Sequence, residues 1–127
     1  MGHAEPEVKI NAAPDQVWAI VADYGGLAGW MPGVETCRME GDRDRVIAMM
    51  GMEITERLFE KDDAARQLSY GVVAGAPLEQ HKVTITVAPD GDGTKVTWAV
   101  DVDDAMTEMM GGMYQQALEA VKAKAEG

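Results

Sequence analysis

A single long amphipathic segment near the C-terminus limits what this chain can fold into. Over 104–124, Met106, Met109, Met110, Met113, Tyr114, Ala117, Ala120 and Val121 recur at three- and four-residue spacings, while Glu108, Gln115, Glu119 and Lys122 fall opposite. That periodicity predicts one helix with one apolar face. Asp104 suits the N-cap, and Asp101 and Asp103 add negative charge beside the positive end of the helix dipole. Two features set the segment apart. Gly111 and Gly112 lie inside it, where each glycine costs about 1 kcal/mol relative to alanine, so the pair implies a kink or a close backbone approach. Four methionines share its face, and their flexible thioethers suit either a loosely packed core or the wall of a cavity.

The remainder of the chain has to supply what this face packs against. Val8 and Ile10 alternate with polar residues over 7–11, a short strand. Pro14 and Asp15 then open a helix with Val17, Trp18, Val21 and Ala22 on its apolar side, and Gly25-Gly26 stops it. A second short helix at 27–30 ends at Pro32-Gly33. From there the pattern is strands, at 34–40, 45–50, 53–61, 67–74, 82–88 and 95–103, separated by charged or glycine-rich turns. Asp90-Gly91-Asp92-Gly93 reads as a hairpin turn, since it lacks the later ligands of a calcium loop. Seven strands with one apolar face need a cover, and only the long helix can provide it. The fold class is therefore α+β: a strongly bent antiparallel sheet around a C-terminal helix, with two short helices after the first strand. A sheet bent around one helix leaves room for a pocket between them.

Composition narrows the function. At 127 residues the chain suits one domain, 1–127. Its formal net charge of −11 argues against nucleic acid and against an anionic membrane surface as partners. No apolar run approaches a membrane span, and the first residues lack the pattern of a secretory signal. One cysteine, Cys37, cannot form an internal disulfide, which makes a cytoplasmic location the default. One cysteine and two histidines leave little for a metal site, and no cofactor fingerprint is present. No role is expected for His3 in the leading Met1-Gly2-His3.

Several stretches carry a family resemblance. Ile10-Asn11-Ala12-Ala13-Pro14-Asp15-Gln16-Val17-Trp18 is followed by Trp30-Met31-Pro32-Gly33-Val34, then by Thr55-Glu56-Arg57-Leu58, Asp62-Asp63-Ala64-Ala65-Arg66 and Leu68-Ser69-Tyr70. Val83 to Pro89 and Gly93-Thr94-Lys95-Val96-Thr97-Trp98 complete the set. In this order they resemble the helix-grip fold of the START and Bet v 1-like superfamily, the polyketide cyclase/dehydrase and lipid-transport proteins. The middle portion is also similar to the plant abscisic-acid receptors, whose glutamate in the matching strand lines the ligand pocket. The resemblance thus implies a pocket role for Glu56. His81 stands where those receptors have a ligand-facing tyrosine. Their gate loop has no match in Met49-Met50-Gly51-Met52, nor does their pocket lysine, so hormone reception is not implied. What is implied is a hydrophobic cavity for a small molecule or lipid.

Strand parity gives a separate route to the same residues. If Leu58 faces inward, so do Met52, Ile54 and Glu56, and Tyr70 and Val72 share a face with Leu68. If Val83, Ile85 and Val87 face in, so does His81. The expected lining is Trp30, Met52, Ile54, Glu56, Tyr70, Val72, His81, Val83, Ile85, Trp98, Met106, Met109, Met110 and Met113. Three readings follow. The first is binding or transport of a small hydrophobic or amphipathic ligand, a lipid or polyketide-like aromatic. The second is a cyclase or dehydratase with Glu56 and His81 as acid and base and Tyr70 as hydrogen-bond donor. The third is a non-catalytic interaction module working through its surface.

Overall fold

The computed structural model describes residues 2–127. Strands β1 (Gly2–Ala4) and β2 (Glu7–Ile10) precede helix α1 (Pro14–Ala22) and a 3-10 segment (Tyr24–Gly29). Six strands follow: β3 (Thr36–Glu40), β4 (Asp44–Met49), β5 (Met52–Asp62), β6 (Gln67–Ala74), β7 (His81–Asp90) and β8 (Gly93–Val102). A 3-10 turn (Asp104–Met106) leads into the long helix α2 (Thr107–Glu126). The helix-grip arrangement expected from the sequence is the one observed.

All strands belong to one antiparallel sheet in the order β1-β8-β7-β6-β5-β4-β3, with β2 also paired to β8. The strand count corrects the sequence reading: among the described residues there are eight, not seven. Gly2, His3 and Ala4 pair with Val102, Asp101 and Val100, and Glu7 to Ile10 continue along the same edge from Thr97 to Thr94. Three residues containing glycine and alanine are too short to show a period, which is why the sequence hid this strand. Pro6, with no N–H to donate, divides β1 from β2, yet its carbonyl accepts the Trp98 amide at 2.9 Å. His3, expected to be idle, donates from Nδ1 to Asp101 at 2.7 Å. Asp101 and then Glu5 raise its pKa.

Turn chemistry fixes the register. Met49 pairs with Met52, leaving Met50 and Gly51 as a two-residue turn with φ of 52° and 75°. Two positive φ values define the turn whose twist matches a hairpin. Between β5 and β6, Phe59 and Val73 fall out of register as bulges, which bend and twist the pair further. Gly71 lies beside the first of these. A Cβ there would run into the His81 carbonyl and the Phe59 ring.

The core forms where α1 and α2 meet the sheet. Val83, Ile85 and Val87 of β7 and Val96, Trp98, Val100 and Val102 of β8 are all buried. They join Val17, Trp18 and Val21 of α1 and Tyr114, Ala117, Leu118 and Val121 of α2 in one cluster. Asp103, expected to help the helix dipole, accepts the backbone N–H groups of Glu79 and Gln80, each at 3.0 Å.

The glycine pair has two explanations, not one. A Cβ on Gly111 would sit 3.2 Å from the Ala4 Cβ, so α2 approaches β1 closely there. Around Gly112 there is open space. Gly112→Ala should therefore stabilise the protein by about 0.5–1 kcal/mol through helix propensity, with less gain or none at Gly111→Ala and a loss at Gly71→Ala. Urea unfolding of the three variants measures this, and a Gly112→Ala protein no more stable than the parent would refute the propensity argument.

Candidate functional site

Bulk divides α2 into two halves. Tyr114, Leu118 and Val121 fill the interior under its C-terminal half, whereas Met109 in the N-terminal half is 55 % exposed. Beneath that first half a cavity of about 250 Å³ remains. Of the residues singled out from sequence, β5 contributes Met52, Ile54 and Glu56 to its wall, β6 contributes Val72 and β7 contributes His81. From α2 come Met106, Met109, Met110 and Met113.

Tyr70, Val83, Ile85 and Trp98 lie in the packed core instead, and Trp30 is partly buried against it. Tyr114 stands between them and the cavity: its ring stacks on Trp98 at 4.9 Å between centroids, and Trp30 meets Trp98 edge-on at 6.2 Å. Both indole N–H groups are buried without an acceptor among the described residues. Further wall residues were not singled out from sequence: Met49 and Met50 at the β4–β5 turn, Ala76, Pro77 and Leu78 in the β6–β7 loop, and Tyr114. Tyr114 was legible as part of the apolar helix face. The loop residues carry no period that could reveal them.

The wall is apolar except at one cluster, whose anchor is Arg45. This arginine is 4 % exposed and stands directly opposite Glu56 across the β4–β5 pairing. Its Nε and Nη2 both donate to Glu56 Oε1, at 2.8 and 2.7 Å. Nη1 donates to the Tyr24 carbonyl at 3.0 Å, and the guanidinium lies 3.9 Å from the Tyr24 ring centroid and 4.8 Å from that of Tyr70. Burial opposes the arginine's charge most strongly, but the Glu56 carboxylate together with Tyr70 and Tyr24 outweighs it and holds the Arg45 pKa above its usual value. Arg45 alternates with Ile47 and Met49 on β4, and that parity was the signal available in the sequence.

His81 occupies the neighbouring position. Its Nδ1 accepts the Val72 amide N–H at 3.0 Å. The proton of the neutral ring therefore resides on Nε2, which donates to the Tyr114 hydroxyl at 2.9 Å. Burial lowers the His81 pKa, with Glu56 opposing. The Tyr114 hydroxyl is also hydrogen-bonded to that of Tyr70, and burial pushes both phenols above their usual range. Glu56 and His81, paired as acid and base in one reading of the sequence, thus direct their hydrogen bonds to different partners. Elsewhere, burial raises the pKa of the half-buried Cys37 thiol, which keeps it protonated. Among the described residues no three His, Cys, Asp or Glu side chains are grouped to hold a metal.

A sheet gripping one C-terminal helix over an internal cavity is the architecture of the START and Bet v 1-like proteins. The chain belongs to the polyketide cyclase/dehydrase and lipid transport family, which it matches over residues 1–126. Among solved structures it is similar to the XoxI protein of Bacillus cereus, with 25% identity, a TM-score of 0.90, and 98% of this chain and 96% of that one covered. An aromatase/cyclase of Streptomyces, Zhui, shares 22% identity at a TM-score of 0.78, covering 98% and 93%. A START superfamily protein of Mycobacterium smegmatis shares 16% at 0.77, covering 98% and 97%. No curated protein sequence matches the chain. No helix among the described residues is long and apolar enough to cross a membrane.

Two outcomes test the polar cluster. Arg45→Met strands a buried carboxylate and should cost about 3–5 kcal/mol, whereas Arg45→Met with Glu56→Leu should recover most of that. Denaturant unfolding of both variants decides it, and equal losses would mean that the pair is not electrostatically coupled. For His81, the folded pKa lies below the unfolded value of about 6.5, so the unfolded chain takes up its proton first. Its contribution is complete above that value and is lost as pH falls through the folded pKa. His81→Asn should flatten this acid-side slope relative to the parent, and an unchanged slope would assign it to other groups.

Proposed function

We propose that the protein binds and carries a small, largely apolar molecule of one or two rings, or a short chain, in the cavity beneath the first half of α2. The observation that carries this reading is the cavity itself: about 250 Å³, walled by methionine and aliphatic side chains, with polar groups confined to Glu56, His81 and Tyr114. An apolar cavity of about 150 Å³ is enough to hold benzene, so this one suits a moderately larger molecule and is small for a two-chain lipid. The family's lipid-transport and cyclase members support an organic ligand. Methionine walls adapt to more than one shape. The polar cluster would orient a hydroxyl or carbonyl on the ligand. In this reading Glu56, tied to Arg45, and His81, engaged through both ring nitrogens, hold the ligand in place and transfer none of its protons.

Native mass spectrometry of freshly purified protein, followed by organic extraction, should find a bound apolar molecule, or else an apolar fluorescent probe should bind the emptied protein. Val72→Trp, which places a large ring in the cavity, should weaken probe binding by about tenfold or more, the loss of 1.4 kcal/mol or above. Its melting temperature should stay close to the parent's. A parent protein that neither retains a molecule nor binds the probe would overturn the reading.

A further inference from the structure

The methionines are distributed unevenly. Of ten in the chain, seven line the one cavity. Three of these, Met50, Met109 and Met113, also line a shallow groove that continues from the cavity mouth along α2 beside Glu108 and Gly112. They therefore form the shared rim between the two depressions. Met109 and Met113 are one helical turn apart, which sets their side chains side by side. Met50 faces them from the tip of the β4–β5 hairpin.

Ordinary packing does not account for this rim. Met50 is 70 % exposed and Met109 55 %, so neither buries its side chain as a core residue does. Met50 also sits at a φ of 52°, in a turn position that ordinarily takes Asn, Asp or Gly. A methionine in a left-handed turn with its side chain unburied is explained neither by backbone preference nor by core packing.

Three thioethers around one opening have a chemistry of their own. They are soft, neutral donors, and soft sulfur ligands select Cu(I) over harder ions. Competing donors are committed elsewhere: Glu56 is paired with Arg45, and both His81 nitrogens are occupied. The net charge of −11 raises the local concentration of cations. Glu108 beside the rim offsets the charge of a bound ion, and exposure at the mouth spares that ion full desolvation. We propose that Met50, Met109 and Met113 form a thioether site for a soft monovalent cation, Cu(I), at the mouth of the cavity. The site shares a wall with the organic-ligand cavity but does not depend on that cavity's having an organic ligand.

The test uses Ag(I), a redox-inert stand-in for Cu(I), with protein labelled at the methionine methyls. A Cys37→Ala background removes the one thiol that binds the same ions. One equivalent of Ag(I) should shift the methyl signals of Met50, Met109 and Met113 and leave Met31 and Met39 in place. Competition for Cu(I) against a chromophoric chelator should show a loss of about tenfold or more, 1.4 kcal/mol or above, in Met50→Leu and in Met109→Leu. Leucine preserves bulk, so both variants should melt close to the parent. Absent or uniform methyl shifts, or leucine variants that hold Cu(I) as the parent does, would overturn the site. Ag(I) shifts in a protein that binds no apolar probe would leave the site standing and remove the carrier reading. Probe binding without Ag(I) shifts would do the reverse.

Discussion

One helix has to cover the face of a sheet far wider than itself. Seven strands side by side span roughly 29 Å at about 4.8 Å per neighbour, whereas a helix with its side chains is about 10–12 Å across. No straight placement of α2 satisfies that mismatch, so the sheet bends, with the bulges at Phe59 and Val73 contributing to the curve. Coverage is still unequal. Helix α2 packs mainly toward β1, β2 and β8, and α1 adds cover over β7 and β8. On the other side, Ile54 and Glu56 of β5 and Val72 of β6 face methionine side chains across the cavity. The cavity is what remains of the mismatch, and its position follows from which side of the sheet the helix chose.

A partly covered face is also where polar groups can enter a core at tolerable cost. Glu56 on β5 would be a liability among Met52, Ile54 and Leu58 without Arg45 opposite it. That arginine is in turn satisfied by the Tyr24 carbonyl and sandwiched near two aromatic rings. From there the Tyr70 and Tyr114 hydroxyls and His81 carry hydrogen bonding across to α2 and back to the Val72 amide. The network joins β4, β5, β6, β7, α2 and the 3-10 segment through side chains and two backbone groups, the Tyr24 carbonyl and the Val72 amide. It braces the side of the molecule where direct helix-to-sheet packing is thinnest.

Periodicity made most of this legible in the sequence, and its failures mark where periodicity ends. The alternation of Val83, Ile85 and Val87 placed His81 on the inner face, and the methionine spacing on α2 placed Met106, Met109, Met110 and Met113 on one side. Parity alone has no depth, however. It put Tyr70, Val83, Ile85 and Trp98 on the correct face without showing that Tyr114 and its neighbours would bury them behind the cavity wall. Arg45 was hidden for a different reason: a charged residue in an apolar strand reads as exposed until its cross-strand partner is known, and register is not written in either strand separately. Ala76, Pro77 and Leu78 lie in a loop, where only the closed fold decides what they touch.

The divided edge strand has a consequence for how copies of this chain meet. A sheet that ends in an unbroken row of amides invites another chain to extend it. Here one edge is interrupted by Pro6, which has no amide hydrogen to offer, and the other edge, β3, carries Arg38 and Glu40 in an ion pair on exposed side chains. Growth by strand addition is hindered at both ends. The apolar opening between the hairpin and α2 then faces solvent away from both sheet edges, and small molecules meet it without competition from the protein's own backbone.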